Sequence, residues 1–64
     1  MPVVHIHMYK GRTKEQKREL VRRITKDFDE VVNVKADSLH ILFHDMDKDD
    51  WGTRGTLASD PPPK

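Results

Sequence analysis

Residues 13–32 read TKEQKRELVRRITKDFDEVV, and the order of the other elements can be worked out from this stretch. Its apolar residues recur at spacings of three, four and seven, which predicts an amphipathic helix of roughly five turns. The apolar stripe consists of Leu20, Val21, Ile24, Phe28, Val31 and Val32. Thr13 and Gln16 form the pattern of a capping box, in which each side chain satisfies a backbone N–H group at the start of a helix. We therefore expect the helix to begin at Thr13.

Segments on both sides of this helix alternate with a period of two, which is typical of strands. In residues 3–9, one face holds Val4, Ile6 and Met8, and the other holds Val3, His5, His7 and Tyr9. In residues 38–45, one face holds Leu39, Ile41 and Phe43, and the other holds His40, Leu42 and His44. A helix between two strands permits a crossover, which almost always joins parallel strands. The sequence therefore predicts an α/β (α+β) chain with β-α-β order and parallel strands.

The remaining residues predict a hairpin and a tail. Residues 46–60, MDKDDWGTRGTLASD, are polar, and Gly52 and Gly55 supply backbone freedom for a tight hairpin or loop. The prolines of the last residues prevent packing, so this end is expected to fray. We expect a single domain over residues 1–60 and a frayed proline-rich tail over residues 61–64.

The length of the chain favours oligomerisation. A chain of 64 residues buries only about 60% of its unfolded surface, so its stability alone is marginal. Small scaffolds gain stability from disulfides, a metal or further copies, and this sequence has no cysteine. A two-stranded sheet with one helix also leaves one face uncovered, so we expect its strands to join those of a second chain.

Composition and charge argue against several classes of protein. No apolar stretch approaches the ~20 residues of a membrane span, and no signal pattern opens the chain, so we expect a cytoplasmic protein without a membrane partner. Residues 1–26 carry eight Lys/Arg against two acidic residues, whereas residues 27–64 carry four against nine. The acidic half would oppose a nucleic acid, so this polarity favours contacts between subunits or attraction of small anions.

Pro2 is the first candidate functional residue. Once Met1 is removed, Pro2 becomes a terminal secondary amine. An α-amino group ordinarily has a pKa near ~7.7 to 8.0, which partial burial or a neighbouring guanidinium lowers. Such an amine can act as a general base. The alternative is that proline is simply tolerated as the first residue of a strand.

Two further residues suit a small anionic ligand. Arg12 precedes the predicted helix, where exposed N–H groups already favour anions and a guanidinium adds a bidentate grip on a carboxylate. Its alternative is an ordinary solvated arginine. Trp51 suits the wall of a ligand pocket or an interface, since aromatic residues are enriched in both.

The four histidines could gather on one face of the sheet and bind zinc. No carboxylate or thiolate joins them at a recognisable spacing, and surface or interface histidines explain the pattern equally well. We therefore expect no metal. The histidines are His5, His7, His40 and His44.

Taken together, Pro2, the segment GRTKEQKRELV at 11–21 and the segment DDWGTRGTLASD at 49–60 resemble a known family. They are similar to the short-chain subgroup of the tautomerase superfamily, typified by 4-oxalocrotonate tautomerase, over nearly the whole chain from Pro2 to Ser59. The resemblance implies that two protomers pair their sheets and that three such dimers build a hexamer. The C-terminal hairpin would reach across subunits.

The resemblance also implies an activity and its residues. In the family, the amino-terminal proline shuttles a proton within an enol or dienol dicarboxylate, with no metal or organic cofactor. Pro2 matches that base, Arg12 matches the arginine that holds the substrate carboxylate, and Trp51 matches the aromatic wall. The predicted function is keto-enol tautomerisation of small unsaturated 2-hydroxy or 2-oxo acids by a homo-oligomer, with a hetero-hexamer left open.

Two positions depart from the family pattern. His40 stands where the family carries a second arginine, and histidine has no bidentate fork and is charged only at acidic pH. Arg54 stands where glycine is usual, and we hypothesise that it replaces the missing cation in substrate binding. The alternatives are a hydratase or dehalogenase, which needs a carboxylate such as Asp45 or Asp37, and a catalytically weak hexameric binding module.

Overall fold

The computed structural model describes residues 1–61, so most of the tail predicted at 61–64 lies outside the described residues. The elements are β1 (Val3–Tyr9), α1 (Lys14–Val32), β2 (His40–Met46), β3 (Gly52–Thr53) and β4 (Thr56–Leu57). Short 3₁₀ turns at Ala36–Ser38 and Lys48–Asp50 precede β2 and β3. The predicted β-α-β order and C-terminal hairpin are confirmed.

The two long strands form a parallel pair, as predicted from the crossover. Their register runs from Val3 opposite His40 to Tyr9 opposite Met46. The second strand begins at His40 rather than at Ser38, because Ser38 belongs to a 3₁₀ turn in which its N–H donates to the Lys35 carbonyl at 2.9 Å. The His40 N–H then donates to the Pro2 carbonyl at 3.1 Å, and this hydrogen bond lies at the start of the pairing between β1 and β2.

The helix is closed at both ends by local hydrogen bonds. The Gln16 N–H donates to Thr13 Oγ1 at 3.1 Å, and the Thr13 N–H donates to Gln16 Oε1 at 2.9 Å, which confirms the capping box. At the other end, Asn33 is left-handed at φ 58°, and the Val34 N–H reaches back to the Phe28 carbonyl at 3.1 Å. This Schellman-type closure satisfies carbonyls that the helix leaves unpaired.

The helix covers only one face of the sheet. Lys17 links the two layers, since its ammonium forms an ion pair with Asp45 and lies 5.7 Å from the centre of the Phe43 ring. The apolar stripe is only partly covered, because Val31 remains 80% exposed at the end of the helix. No side chain within residues 1–61 is fully buried. The half-buried strand residues on the helix side are Val4, Ile6, Met8, Ile41 and Phe43.

The C-terminal hairpin is short and tightly turned. Its strands β3 and β4 are antiparallel, and the two residues between them, Arg54 and Gly55, have φ of 56° and 81°. Positive φ at both central residues is the signature of a type I′ turn. Gly55 supplies the backbone freedom expected of it, whereas the second left-handed position is Arg54 and not Gly52.

None of the described helices combines the length and the apolar composition needed to cross a membrane.

Candidate active site

Pro2 and His40 are neighbours at the amino-terminal end of the sheet. The hydrogen bond from His40 to the Pro2 carbonyl ties the two backbones together, and Pro2 itself is half-buried. This hydrogen bond uses the Pro2 carbonyl, so the ring nitrogen of Pro2 takes no part in the hydrogen bonds between the strands. The preceding residue, Met1, is 87% exposed.

Arg12 lies beyond the opposite end of β1. It follows Gly11, which has φ of 125°, and directly precedes the helix cap at Thr13. The seven residues of β1, at about 3.3 Å each, span roughly 20 Å, and the backbone of Arg12 lies beyond the far end of that strand from Pro2. Within one protomer, Arg12 therefore cannot act on a molecule that contacts the Pro2 nitrogen.

Arg12 lines an open groove of about 520 Å³ between the helix and the sheet. The apolar part of this groove comes from Met8, Leu20 and Phe43. Arg12 has no ion-pair partner within residues 1–61, so its guanidinium is available to an anion. The groove also includes Glu15, Gln16, Lys17, Glu19 and Arg23.

The other charges of the groove largely neutralise one another. Hydrogen bonds from Arg22 and Arg23 lower the pKa of Glu19 from its ordinary value to about 2. The same pairing with Glu19 raises the pKa of Arg22. Glu19 therefore stays ionised at neutral pH and pairs with both arginines, whereas Arg12 has no such carboxylate partner within residues 1–61.

Trp51 belongs to the same end of the sheet as Arg12. Its ring packs edge to face on Tyr9, with 4.9 Å between centroids and 66° between planes. Lys48 lies 5.5 Å from the centre of the Tyr9 ring. Arg54 lies further out, exposed at the turn of the hairpin.

The structure thus divides the five residues that the sequence proposed. Pro2 and His40 lie together at one end of β1, whereas Arg12 and Trp51 lie towards the other end and Arg54 lies on the hairpin. The two groups, which we call half-sites, are separated by the length of the strand, so a single protomer does not bring the five candidate residues together.

The histidine cluster lies on the face of the sheet that the helix leaves open, as the alternation predicted. His44 stacks on His7 with 4.3 Å between ring centroids and on His5 with 5.1 Å. The Nδ1 atom of His5 and the Nε2 atom of His44 are 2.8 Å apart, within hydrogen-bond distance. Within residues 1–61, no group of three or more His, Asp or Glu side chains has the arrangement of a metal site.

Two residues of these half-sites were not predicted from the sequence. Lys17 precedes Leu20 by three positions, so it lies on the same face of the helix as the apolar stripe. This spacing could have predicted that Lys17 faces the sheet. The contact of Tyr9 with Trp51 has no comparable signal, because these residues are far apart along the chain.

Comparison with known proteins assigns the family. The pattern of the family described as tautomerase enzyme matches residues 2–60. The chain is 35% identical to 2-hydroxymuconate tautomerase of Bacillus subtilis over 60 residues, covering 94% of this chain and 97% of that protein. It is 32% identical to 2-hydroxymuconate tautomerase of Comamonas testosteroni, covering 94% and 95%. The chain therefore belongs to the tautomerase family.

The solved structures narrow this assignment. The crystal structure of YwhB, a homologue of 4-oxalocrotonate tautomerase, superposes with a TM-score of 0.87 at 33% identity, covering 95% of this chain and 100% of that one. This protein is accordingly an enzyme of the 4-oxalocrotonate tautomerase type, and hence an isomerase. The predicted family and enzyme class are confirmed.

Proposed function

We propose that this protein is a cofactor-independent keto-enol tautomerase of small unsaturated 2-hydroxy or 2-oxo acids, with the Pro2 nitrogen as general base and general acid. The position of Pro2 carries this proposal. It is half-buried at the mouth of β1, and the ladder engages its carbonyl rather than its nitrogen. The activity of relatives named 2-hydroxymuconate tautomerase supports the substrate class.

The chemistry needs only a movable proton and fixed positive charge. The neutral Pro2 amine, formed when Met1 is removed, accepts a proton from one position of the conjugated acid. It returns a proton to a carbon further along, so that substrate and product are isomers. Such proton transfers contribute typically about 10²- to 10⁴-fold in rate. Arg12 holds the carboxylate and stabilises the negative charge that develops in the dienolate, while Trp51 keeps the site apolar.

The separation of the half-sites supports a site that further copies complete. A compact chain of this length would have a radius of gyration of about 11 Å, whereas the observed value is 15.5 Å. The open sheet face also exposes apolar residues, including Val3 at 50% and Leu42 at 43%. We propose that residues 1–60 act as one domain and that six chains assemble as a trimer of dimers, either identical or with a related partner.

His40 and Arg54 would tune substrate binding at this shared site. His40 pairs with Val3 in the register, next to Pro2, and it lacks the bidentate fork of an arginine. Arg54 is exposed, projects from the hairpin and keeps a left-handed backbone that costs about 1 kcal/mol or more for a residue with a side chain. Strain of this kind is often retained where a side chain serves function. We propose that Arg54 supplies the second cation to a neighbouring copy.

The hydratase and dehalogenase alternatives receive less support. They need a carboxylate that can activate water beside Pro2. Asp45 is instead paired with Lys17 on the helix side of the sheet, and Asp37 lies exposed in the 3₁₀ turn before β2.

The decisive experiment compares protein with a free Pro2 terminus against protein that retains Met1, with intact mass verifying each terminus. Conversion of 2-hydroxymuconate is followed by ultraviolet absorbance. We expect retention of Met1 to lower kcat by about 100-fold or more, because an amide nitrogen is not a base. Pro2→Ala leaves a primary amine at the terminus and should lower kcat less than retention of Met1 does, whereas Pro61→Ala, the matched proline control, should leave kcat unchanged. Equal rates with and without Met1 would reject Pro2 as the base and favour a binding module.

A further inference from the structure

The proposed reaction gives no role to Lys17, a cation of the same groove that Arg12 lines. The side chain of Lys17 is 26% exposed and that of its partner Asp45 is 34% exposed, which makes this the least exposed ion pair within residues 1–61. A charge that is partly withdrawn from water interacts more strongly with its neighbours than a fully solvated one. An anion in the groove would therefore interact more strongly with Lys17 than with the exposed lysines of the helix.

The ammonium of Lys17 keeps hydrogen-bonding capacity for a ligand. An ammonium has three N–H donors, and within residues 1–61 its hydrogen bond goes to Asp45 Oδ2. The ammonium also lies 5.7 Å from the centre of the ring of Phe43, which lines the groove. Asp45 is not among the described residues that line the groove. A ligand there would thus meet Lys17 as part of the wall, whereas the carboxylate that holds Lys17 lies outside it.

The acidic side chains of the groove wall are held by other cations. Glu15 accepts two hydrogen bonds from Arg18, each of 2.6 Å, and Glu19 is paired with two arginines of the next turn. These pairs use neither Arg12 nor Lys17. An incoming anion would therefore compete with no carboxylate of the wall for either of these two cations.

The groove suits a small acid with an apolar body. Its volume of about 520 Å³ lies in the range of roughly 300 to 1,000 Å³ that is usual for small-molecule sites. Met8, Leu20 and Phe43 supply the apolar surface. A carboxylate offers about four lone-pair positions, and a guanidinium fork occupies two of them. Arg12 can thus grip such a group and still leave lone pairs for the ammonium of Lys17.

We propose that Lys17 is a specificity-determining residue of this groove, where its ammonium donates to the carboxylate that Arg12 grips. Asp45 competes for the same ammonium and thereby limits its affinity for the ligand. The ligand is a small unsaturated acid whose carbon chain packs on the apolar side chains of the groove. The identity of this ligand rests on the proposed function, whereas the role of Lys17 does not depend on which copy supplies Pro2.

The experiment measures the binding of muconate, the dicarboxylate that lacks the hydroxyl group of 2-hydroxymuconate, by isothermal titration calorimetry. Lys17→Met keeps the aliphatic stem and removes the donors, so the Kd should rise by about tenfold or more. Asp45→Asn frees the ammonium from its competitor, so the Kd should fall by about two- to fivefold, the coupling of a partly exposed ion pair. These opposite shifts separate ligand binding from a structural role, because both variants remove the ion pair.

Lys26→Met is the matched control, since Lys26 is an exposed helix lysine that pairs with Glu30 outside the groove. Its Kd should equal that of the wild type. Lys17→Gln also removes the charge and serves if circular dichroism shows that Lys17→Met fails to fold. An unchanged Kd in the Lys17 variants, or a Kd that rises by the same factor in Lys17→Met and Asp45→Asn, overturns the inference.

Steady-state turnover of 2-hydroxymuconate keeps this result separate from the proposed function. If the Kd does not depend on Lys17 but turnover still requires a free Pro2 terminus, only the role of Lys17 is lost. If the Kd depends on Lys17 as expected but 2-hydroxymuconate is not converted, the role of Lys17 in binding acids stands and the proposed tautomerase function fails.

Discussion

Pro2 and Arg12 stand at opposite ends of one strand, with the whole of β1, Val3–Tyr9, between them. A strand is rigid along its length, so no side-chain motion closes a gap of roughly 20 Å. If Pro2 is the base and Arg12 the carboxylate clamp, as we propose, the two must come from different copies of the chain. The proposed mechanism therefore requires assembly.

The hairpin arginine should govern recognition of a second carboxylate. Arg54→Gly removes the guanidinium and suits the positive φ of this position, so the hairpin should persist. Loss of a charged hydrogen bond should raise KM for 2-hydroxymuconate by about tenfold or more. A 2-hydroxydienoate with one carboxylate should show an unchanged KM in the same steady-state assay.

Arg12→Ala is the comparison for this experiment and should impair turnover of both substrates, because it removes the clamp for the carboxylate that they share. An unchanged KM for the dicarboxylate in Arg54→Gly, together with lost activity in Arg12→Ala, would show that Arg54 plays no part in binding.

The capping box should contribute measurably to stability. Thr13→Ala removes the hydroxyl that accepts the Gln16 N–H, and such caps are worth about 1 kcal/mol. Urea denaturation at one fixed protein concentration measures the loss, since association adds to the apparent stability. Thr53→Ala, at an exposed hairpin position, should change the free energy of unfolding by less than about 0.5 kcal/mol. Equal losses in the two variants would contradict a role for the cap.

The Glu19 cluster should make the helix slightly acid-sensitive. Arg22 and Arg23 depress the pKa of Glu19 to about 2, so the folded state favours the ionised carboxylate. This stabilisation is complete above the ordinary pKa of 4.5 and is lost as the pH falls towards 2. Its size is small, because the cluster is exposed and screened by solvent.

Thermal melts of wild type and Glu19→Gln test this linkage. The variant should melt earlier at pH 7, and the difference should shrink as the pH approaches 2. Glu30→Gln, whose partner Lys26 is 3.9 Å away, is the matched control and should show a smaller difference at pH 7. A difference for Glu19→Gln that stays constant from pH 7 to pH 2 would refute the pairing.

Local features of this chain follow from its sequence. The period of three to four residues after Thr13 defines the helix, and the period of two defines both strand faces, because side-chain direction repeats with backbone geometry. The capping box joins residues only three positions apart. The start of β2 is an exception. The alternation of apolar residues predicts a strand from Ser38, but Ser38 belongs to the 3₁₀ turn at Ala36–Ser38.

The helix, the two strand faces, the parallel crossover and the family signature around Pro2 could all be predicted from the order of the amino acids, since each follows from patterns along the chain. The folded structure was needed to show that Pro2 and Arg12 are kept apart, that Tyr9 meets Trp51, and that His5 meets His44. Those relationships depend on the register between strands and on which end of the sheet each loop reaches. The pairing that brings distant residues within a few ångströms does not exist until the chain has folded.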